Sequence, residues 1–200
     1  MRSAWFARSE PTRRASVSGV KPDWPLETER LVLRPYSEGD FDALHELYSD
    51  ESVVQWLYEG PATLEATRAR LDRCLERREL TETTGLSAAV TLPGGAYVGG
   101  LVLWYTSFEH RGAEVGYSLL PRHQGSGFAV EATGALLDWA FRAAGVHRVV
   151  ARLEARNVAS ARVAERLGMR REATFVENEW VKDEWQSEAV YAILDREWRR

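Results

Sequence analysis

The stretch that decides the fold runs Arg122-His123-Gln124-Gly125-Ser126-Gly127-Phe128-Ala129 and lies between two segments of different periodicity. Residues 112–119 have a strand-like pattern, and residues 127–144 have the apolar spacing of an amphipathic helix. The two glycines allow a tight turn in which the backbone approaches a ligand closely. The helix that follows presents unpaired N–H groups and the positive end of its dipole. This order predicts an anion cradle suited to a pyrophosphate, although a plain strand-to-helix connection has the same pattern.

The composition indicates one globular domain and excludes several classes of protein. The chain has 200 residues, of which 44% are hydrophobic and 28% are charged. Its net charge of −4 argues against a dedicated nucleic-acid-binding protein, whose basic face normally shows in the total. No apolar run is long enough to span a membrane. Cys74 is the only cysteine, which fits a reducing compartment and predicts a cytoplasmic protein. The four histidines lack ligand spacing, so no metal site is predicted.

The order of predicted elements indicates a mixed α/β sheet. Residues 1–22 are predicted to be a disordered tail, and residues 23–200 a single domain. Periodicity and capping residues predict strands at 28–35, 86–92, 97–107, 112–119, 148–155, 170–176 and 185–194, with helices at 40–48, 63–79, 127–144 and 157–167. Helices should therefore cover both faces of the sheet. The unit at 112–155 should hold two parallel strands joined by a right-handed crossover, and a ligand should bind where the strand order switches.

Five segments in this order resemble one known superfamily. They are LETERLVLRP at 26–35, EVGYSL at 114–119, HQGSGFAVEA at 123–132, NVAS at 157–160 and RLGM at 166–169. They resemble the GNAT superfamily of N-acetyltransferases, and most of all its Rim-type branch, which acetylates the N-termini of ribosomal proteins. The signature Gln/Arg-x-x-Gly-x-Gly/Ala maps onto Arg122, Gly125 and Gly127. Ser126 stands where a Lys or Arg is frequent, and Gln124 stands where a Trp or Tyr is frequent.

The resemblance covers residues 26–195 and implies a fold and a reaction. The fold is a mixed, mostly antiparallel sheet with a parallel strand pair at the cofactor site and helices on both faces. The reaction is acetyl transfer from acetyl-CoA to a primary amine in a ternary complex, most of all to the α-amino group of a peptide N-terminus. Such a group has a pKa of about 8 and therefore needs only a modest base at neutral pH. A bulge at Gly116 is expected to free a backbone N–H for the thioester oxygen.

Two carboxylates are candidates for the base. Glu114 lies on the strand that faces the cofactor, and Glu179 precedes the final strands, where Rim-type relatives carry a carboxylate. Glu179 is preferred, and a solvated surface role remains an alternative for both. Ser160 should meet the thiol as an acid or hydrogen-bond donor, unless it only bonds the backbone at the helix start. Tyr117 is the reserve acid. The resemblance assigns cofactor binding to Val115, Tyr117, Leu119, Arg122, Gln124, Gly125, Ser126, Gly127, Phe128, Ala129, Asn157 and Ser160.

The surroundings of the acceptor leave several functions open. Acidic residues should form a patch that attracts a cationic amine or a peptide terminus, unless they form a solvated loop: Glu177, Glu179, Asp183 and Glu184. Tryptophans near the expected groove are Trp56, Trp104, Trp180 and Trp185. The alternative functions are acetylation of a small-molecule amine (an antibiotic, polyamine or amino acid) and a non-catalytic acyl-CoA sensor. The resemblance also allows a homodimer, since Rim-type relatives are often dimers.

Overall fold

The computed structural model describes residues 19–198, in which eight strands form a single sheet. In spatial order the strands are β1, β2, β3, β4, β5, β6, β8 and β7. Their bounds are Leu26–Glu27 for β1, Val32–Arg34 for β2, Leu86–Thr91 for β3, Tyr97–Ser107 for β4, Gly112–Leu119 for β5, Arg148–Glu154 for β6, Arg170–Val181 for β7 and Glu184–Leu194 for β8. All neighbours are antiparallel except β5 and β6, which are parallel. The predicted mixed sheet with one parallel pair is confirmed.

Within residues 19–198, five α-helices connect the strands. They are α1 at Phe41–Ser49, α2 at Glu51–Val54, α3 at Leu64–Glu76, α4 at Phe128–Arg142 and α5 at Val158–Arg166. The side chain of Thr63 accepts a hydrogen bond from the N–H of Ala66, and that of Asn157 accepts one from the N–H of Ser160. Both contacts cap the first turn of a helix, as the sequence predicts.

The strand predicted at residues 28–35 is instead a short hairpin of β1 and β2. The Thr28 N–H donates to the Leu31 carbonyl at 2.9 Å, and the Leu31 N–H donates to the Thr28 hydroxyl at 3.0 Å. These two bonds satisfy the backbone within the segment and close a turn, so the chain cannot stay extended.

The strand predicted at residues 170–176 is longer than expected, because β7 continues to Val181. Its distal part pairs with β8 through Glu179 opposite Gln186 and Trp180 opposite Trp185. Lys182 and Asp183 form the connecting turn with φ values of 51° and 61°, the backbone that a two-residue hairpin requires. Glu179 therefore lies within the final hairpin, and its placement ahead of the final strand pair was wrong.

Two hydrophobic clusters hold helices against opposite faces of the sheet. The larger one joins α4 and α5 to the sheet and includes Leu103, Val115, Leu136 and Ile193. The smaller one joins α1 and α3 to the other face. Because side chains alternate along a strand, β5 sends Val115, Tyr117 and Leu119 toward the α4–α5 face and Glu114, Gly116 and Ser118 toward the α1–α3 face. This alternation positions the functional site.

Contacts with the sheet begin before Leu26. Val20 exchanges backbone hydrogen bonds with Leu80 at 3.0 and 2.8 Å, and Trp24 packs against the larger cluster. The tail predicted for residues 1–22 stays a prediction for residues 1–18, which lie outside the described part of the chain. Across residues 19–198, no helix is long and apolar enough to span a membrane. Within the same range, no cluster of three His, Cys, Asp or Glu side chains could hold a metal ion.

We expect Gly99→Ala to destabilise the fold, because a Cβ at this position in β4 would lie 2.2 Å from the Ser118 carbonyl oxygen. Overpacking of this kind costs about 1–3 kcal/mol of unfolding free energy. Gly94→Ala is the matched control, since nothing lies within 4 Å of the added Cβ. Urea unfolding of both variants measures the difference, and equal unfolding free energies would contradict the close approach of β4 to β5.

Candidate active site

The site lies where β5 and β6 part. Their parallel pairing covers only Gly112 to Glu114 and ends at the pair of Glu114 with Val150. Beyond it a cleft of about 710 Å³ is lined by both strands and by α4 and α5. The Arg111 carbonyl accepts from the N–H groups of His147 and Arg148 at 2.8 and 3.3 Å. The backbone groups of a strand point alternately to its two neighbours, so the N–H and C=O groups of residues 113, 115, 117 and 119 all point from β5 toward β6. Beyond residue 114, where β6 has diverged, the groups of residues 115, 117 and 119 face the cleft.

The bulge expected in β5 is absent. The register of β4 with β5 is continuous from Glu114 to Leu119, and the irregularity lies between Tyr105 and Ser107 of β4. Backbone N–H groups of β5 are freed by the parting from β6 rather than by a bulge. The Leu119 carbonyl confirms this direction, because it accepts a hydrogen bond at 3.0 Å from Nε2 of Gln124, which also lines the cleft.

The glycine turn has the backbone geometry that the sequence predicts for an anion cradle. Gly125 and Gly127 have φ values of 75° and 83°, a left-handed backbone that favours glycine. Gly127 is the N-cap of α4, and no side chain caps the helix there. The first-turn residues Phe128 and Ala129 line the cleft. Their N–H groups and the helix dipole therefore provide a site for phosphate.

Arg30 braces this turn from the β1–β2 hairpin. Its Nη1 donates to the Ser126 carbonyl at 3.1 Å, its Nε donates to Glu131 at 2.7 Å, and its guanidinium lies 4.8 Å over the Phe128 ring. The C=O and N–H of a trans peptide point in opposite directions, so holding the Ser126 carbonyl turns the Gly127 N–H away from Arg30. Arg30 also brings a cation to the turn in which Ser126 replaces the common Lys or Arg. No local signal in the sequence connects residues 30 and 126.

Glu114 is a buried carboxylate on the α1–α3 side of β5. Its side chain is 15% exposed, and burial raises its pKa to about 7. Arg152, at 3.4 Å from its carboxylate, lowers the pKa, whereas the nearby Glu188 raises it. Arg152 lines the cleft and also pairs with Glu188 at 2.8 Å. This arrangement keeps the pKa of Glu114 close to neutrality, next to the Arg152 side chain in the cleft wall.

Glu179 is linked to the cleft through Tyr58, which follows α2. The Tyr58 hydroxyl donates to both Glu179 carboxylate oxygens at 3.0 and 2.9 Å. Burial, followed by Glu179, raises the pKa of Tyr58 to about 12, and Glu188 and Glu114 add to the shift. Three carboxylates therefore act electrostatically on one phenol that lines the cleft.

Tyr117 and Ser160 meet on the opposite side of β5. The Tyr117 hydroxyl donates to the Ser160 carbonyl at 3.2 Å, and the Ser160 side chain is also hydrogen-bonded with it. Burial raises the pKa of Tyr117 to about 12. Asn157 Oδ1 accepts from the Ser160 N–H at 3.0 Å, so the cap of α5 fixes Ser160 beside Tyr117.

The cleft brings together most of the predicted cofactor-binding residues. Those that line it are Val115, Tyr117, Leu119, Gln124, Gly125, Gly127, Phe128, Ala129, Asn157 and Ser160. Arg122 lies elsewhere, because its guanidinium pairs with Glu46 of α1. Ser126 lies at the turn with its carbonyl bound to Arg30. The residues that sequence reasoning missed are Arg30, Tyr58, Arg152 and Glu188.

The predicted acidic patch and tryptophans are dispersed around the site. Glu184 pairs with Arg156 at 2.5 Å, which neutralises part of the patch. Trp180 and Trp185 stack edge-to-face with ring centroids 5.3 Å apart at the exposed end of the final hairpin. Trp56 lines the cleft.

Comparison with known proteins identifies the family. The family described as acetyltransferase (GNAT) domain matches residues 30–170, and the chain belongs to it. An uncharacterized N-acetyltransferase of Bacillus subtilis, YnaD, is 31% identical over 86% of this chain and 98% of its own. A GNAT-family acetyltransferase of known structure from Bacillus anthracis is 32% identical, with a TM-score of 0.78 over 86% of this chain and 99% of its own. The protein is thus an acyltransferase, an N-acetyltransferase of the GNAT family.

Two more distant relatives differ in their acceptors. The spermidine N-acetyltransferase of Vibrio cholerae, solved with CoA and spermine, has a TM-score of 0.74 at 21% identity over 85% of this chain and 98% of its own. A putative ribosomal N-acetyltransferase of Bacillus subtilis, YdaF, is 26% identical over 85% of this chain and 94% of its own. The acceptor therefore has to be argued from the residues of this site.

We expect Arg30→Ala to weaken CoA binding about tenfold, the effect of losing a charged hydrogen bond that orients the turn. Isothermal titration calorimetry of CoA measures the dissociation constant. Arg68→Ala is the matched control, since Arg68 also pairs with carboxylates and stacks on an aromatic ring, but its partners are Glu38, Asp72 and Phe41 rather than the glycine turn. Arg30→Lys keeps the charge and loses the fork that bridges Ser126 and Glu131. Unchanged affinity in Arg30→Ala would refute the bracing role.

Proposed function

We propose that the protein transfers the acetyl group of acetyl-CoA directly to a primary amine, with Glu114 as the general base. The observation that carries the proposal is the position of three groups about the parting of β5 and β6. Glu114 lies on the α1–α3 side of β5, whereas Tyr117 and Ser160 lie on the α4–α5 side. The opening between the strands connects the two sides, so an amine and a thioester approaching from opposite faces can meet there.

The burial of Glu114 makes this residue suitable as a base. A base is most effective when its pKa lies near the working pH, and that of Glu114 is about 7. An amine with a pKa of about 8 can transfer a proton to it at small cost. Glu179, the base preferred from the sequence, is half-buried, and both of its carboxylate oxygens accept a hydrogen bond from the Tyr58 hydroxyl. A role in attracting the acceptor amine suits Glu179 better.

The other groups of the site supply the remaining tasks. The N–H groups of Val115, Tyr117 and Leu119 that face the cleft are donors for the thioester carbonyl and the pantetheine arm. Acetyl-CoA supplies the activated acyl group. The CoA thiol has a pKa of about 8.5, so a hydrogen bond is enough to stabilise it as it leaves. Tyr117, with a pKa of about 12, stays protonated and donates that bond together with Ser160.

The identity of the amine remains part of the proposal. The α-amino group of a peptide, predicted from the Rim-type resemblance, is supported by the putative ribosomal N-acetyltransferase among the relatives. A small-molecule amine is supported by the spermidine N-acetyltransferase relative. Both acceptors use the same base and the same cleft.

We expect kcat/KM to rise with pH up to about 7 and then to level off where Glu114 is ionised, because only the carboxylate accepts a proton. Glu114→Gln should remove this inflection and lower kcat about 10²- to 10⁴-fold. The measurement is CoA-thiol release between pH 5.5 and 9 with the most reactive amine from a panel of a tripeptide, spermidine and lysine amide. Glu179→Gln is the control and should keep the inflection. If the inflection is lost in Glu179→Gln but kept in Glu114→Gln, Glu179 is the base.

We expect Tyr117→Phe to lower kcat more than Ser160→Ala. The Tyr117 hydroxyl is hydrogen-bonded to both the carbonyl and the side chain of Ser160, so its removal disrupts the whole pair. Loss of one hydrogen bond to a developing anion costs on the order of tenfold or more in kcat. Calorimetric CoA affinity should change little in both variants. A fall in CoA affinity with kcat intact would assign Tyr117 to binding alone.

A further inference from the structure

Three arginines in and directly after α3 line the same cleft as the transfer site. Arg70 and Arg73 are about one turn apart on α3, Arg77 is the C-cap residue that follows the helix, and all three lie along the cleft wall. We call them the arginine row. It covers the face of the sheet on which Glu114 lies, and so stands on the acceptor side of β5 rather than at the pyrophosphate turn.

Part of the positive charge of the arginine row is uncompensated. Arg70 pairs with Glu59 and stacks 4.0 Å over the Tyr48 ring. Among residues 19–198, no carboxylate forms an ion pair with Arg73 or Arg77. Burial raises the pKa of the Cys74 thiol, and all three guanidinium groups lower it. The three arginines therefore lie close to the same residue of the cleft wall.

The floor of the cleft gives the span from the strand beneath the end of α3 to the strand that carries the transfer site. Ser87 of β3, Val102 of β4 and Gly116 of β5 stand opposite one another, and all three line the cleft. The Ser87 N–H donates to the Arg77 carbonyl at 2.8 Å, which places α3 directly over this end. Adjacent strands are about 4.8 Å apart, so Gly116 lies roughly 10 Å from Ser87.

The cleft therefore has different charged groups near its two ends, because Arg152 offsets Glu114 and Glu188 at one end, whereas no carboxylate of residues 19–198 pairs with Arg73 or Arg77 at the other. Glu114, Glu188 and Glu179 act on Tyr58 at the β5–β7 end, and the arginine row lies at the α3 end. We infer that the acceptor carries an anionic group, a carboxylate or a phosphate, roughly 10 Å from its reacting amine, and that Arg73 and Arg77 bind this group. The inference rests on the proposed acetyl transfer and names the acceptor class for it.

This charge arrangement discriminates between acceptors. A polyamine would place its distal ammonium against the arginine row, which is unfavourable. An ω-amino acid, or a peptide with an acidic side chain near a free N-terminus, would place a carboxylate there and form charge-assisted hydrogen bonds. Both sources present the same chemistry, an amine joined to an anion across a short spacer.

The test is CoA-thiol release with matched acceptors. One arm compares ω-amino acids with α,ω-diamines of equal length, across a series of chain lengths. A second arm compares tripeptides with a free N-terminus and Asp or Asn at the third position. We expect kcat/KM to be about tenfold or more higher for the acid-bearing member of each pair, the effect of a charged hydrogen bond. The arm with the larger ratio identifies the source.

Substitutions of the arginines test whether the arginine row causes this preference. Arg73→Gln and Arg77→Gln, singly and together, should abolish the preference while the KM for acetyl-CoA stays unchanged. Arg78→Gln is the matched control, because Arg78 is exposed and lies outside the cleft lining. It should keep the preference. A raised KM for acetyl-CoA in the double variant would assign the arginines to the CoA phosphates and overturn the inference.

The outcomes separate this inference from the proposed function. Turnover with equal or higher kcat/KM for diamines and Asn tripeptides overturns the inference and leaves acetyl transfer intact. Absence of turnover with every amine overturns the proposed function, and calorimetric binding of the same acceptors then decides the inference. Binding of the acid-bearing acceptors that is lost in the double variant supports it. Absence of binding, or equal binding in the double variant, contradicts it.

Discussion

The parting of β5 from β6 after three residue pairs is the constraint on which the rest of the site depends. Each strand is fully paired on its outer side, β5 with β4 and β6 with β8. Only the inner edges beyond Glu114 and Val150 are left open. Backbone groups that face such an opening require partners, because an unpaired buried N–H or C=O is costly. An amide-bearing ligand that lies between the strands satisfies them, and the fold thereby provides a binding site within its own sheet.

Strand alternation then distributes the chemistry on the two sides of this opening. Residues 114 and 117 are separated by an odd number of positions, so their side chains leave β5 on opposite faces. The carboxylate reaches the side of α1 and α3, and the phenol reaches α5. The proposed base and the proposed hydrogen-bond donor for the leaving thiol are in this way kept on opposite faces of the sheet. The opening between β5 and β6 connects the two faces.

Electrostatics adjusts this framework through contacts that are distant in sequence. Burial raises the pKa of Glu114, and Arg152 limits the rise. Arg30 brings a cation to a glycine turn that has none of its own, and the bond from Tyr58 to Glu179 joins the loop after α2 to the final hairpin. The arginine row adds positive charge to the wall of the cleft on the α3 side.

The sequence by itself determined the elements whose signals are local. The bounds of β4 and β5, the caps at Thr63 and Asn157 and the glycine turn follow from periodicity, side-chain capping and backbone freedom within a few residues. These signals, with the family resemblance, predicted ten residues that the structure brings together in the cleft. Only the tertiary structure decided the burial of Glu114, the bracing by Arg30 and the reach of Tyr58 to Glu179. Each depends on groups about one hundred residues apart or on the water excluded by packed neighbours, and no local pattern encodes either quantity.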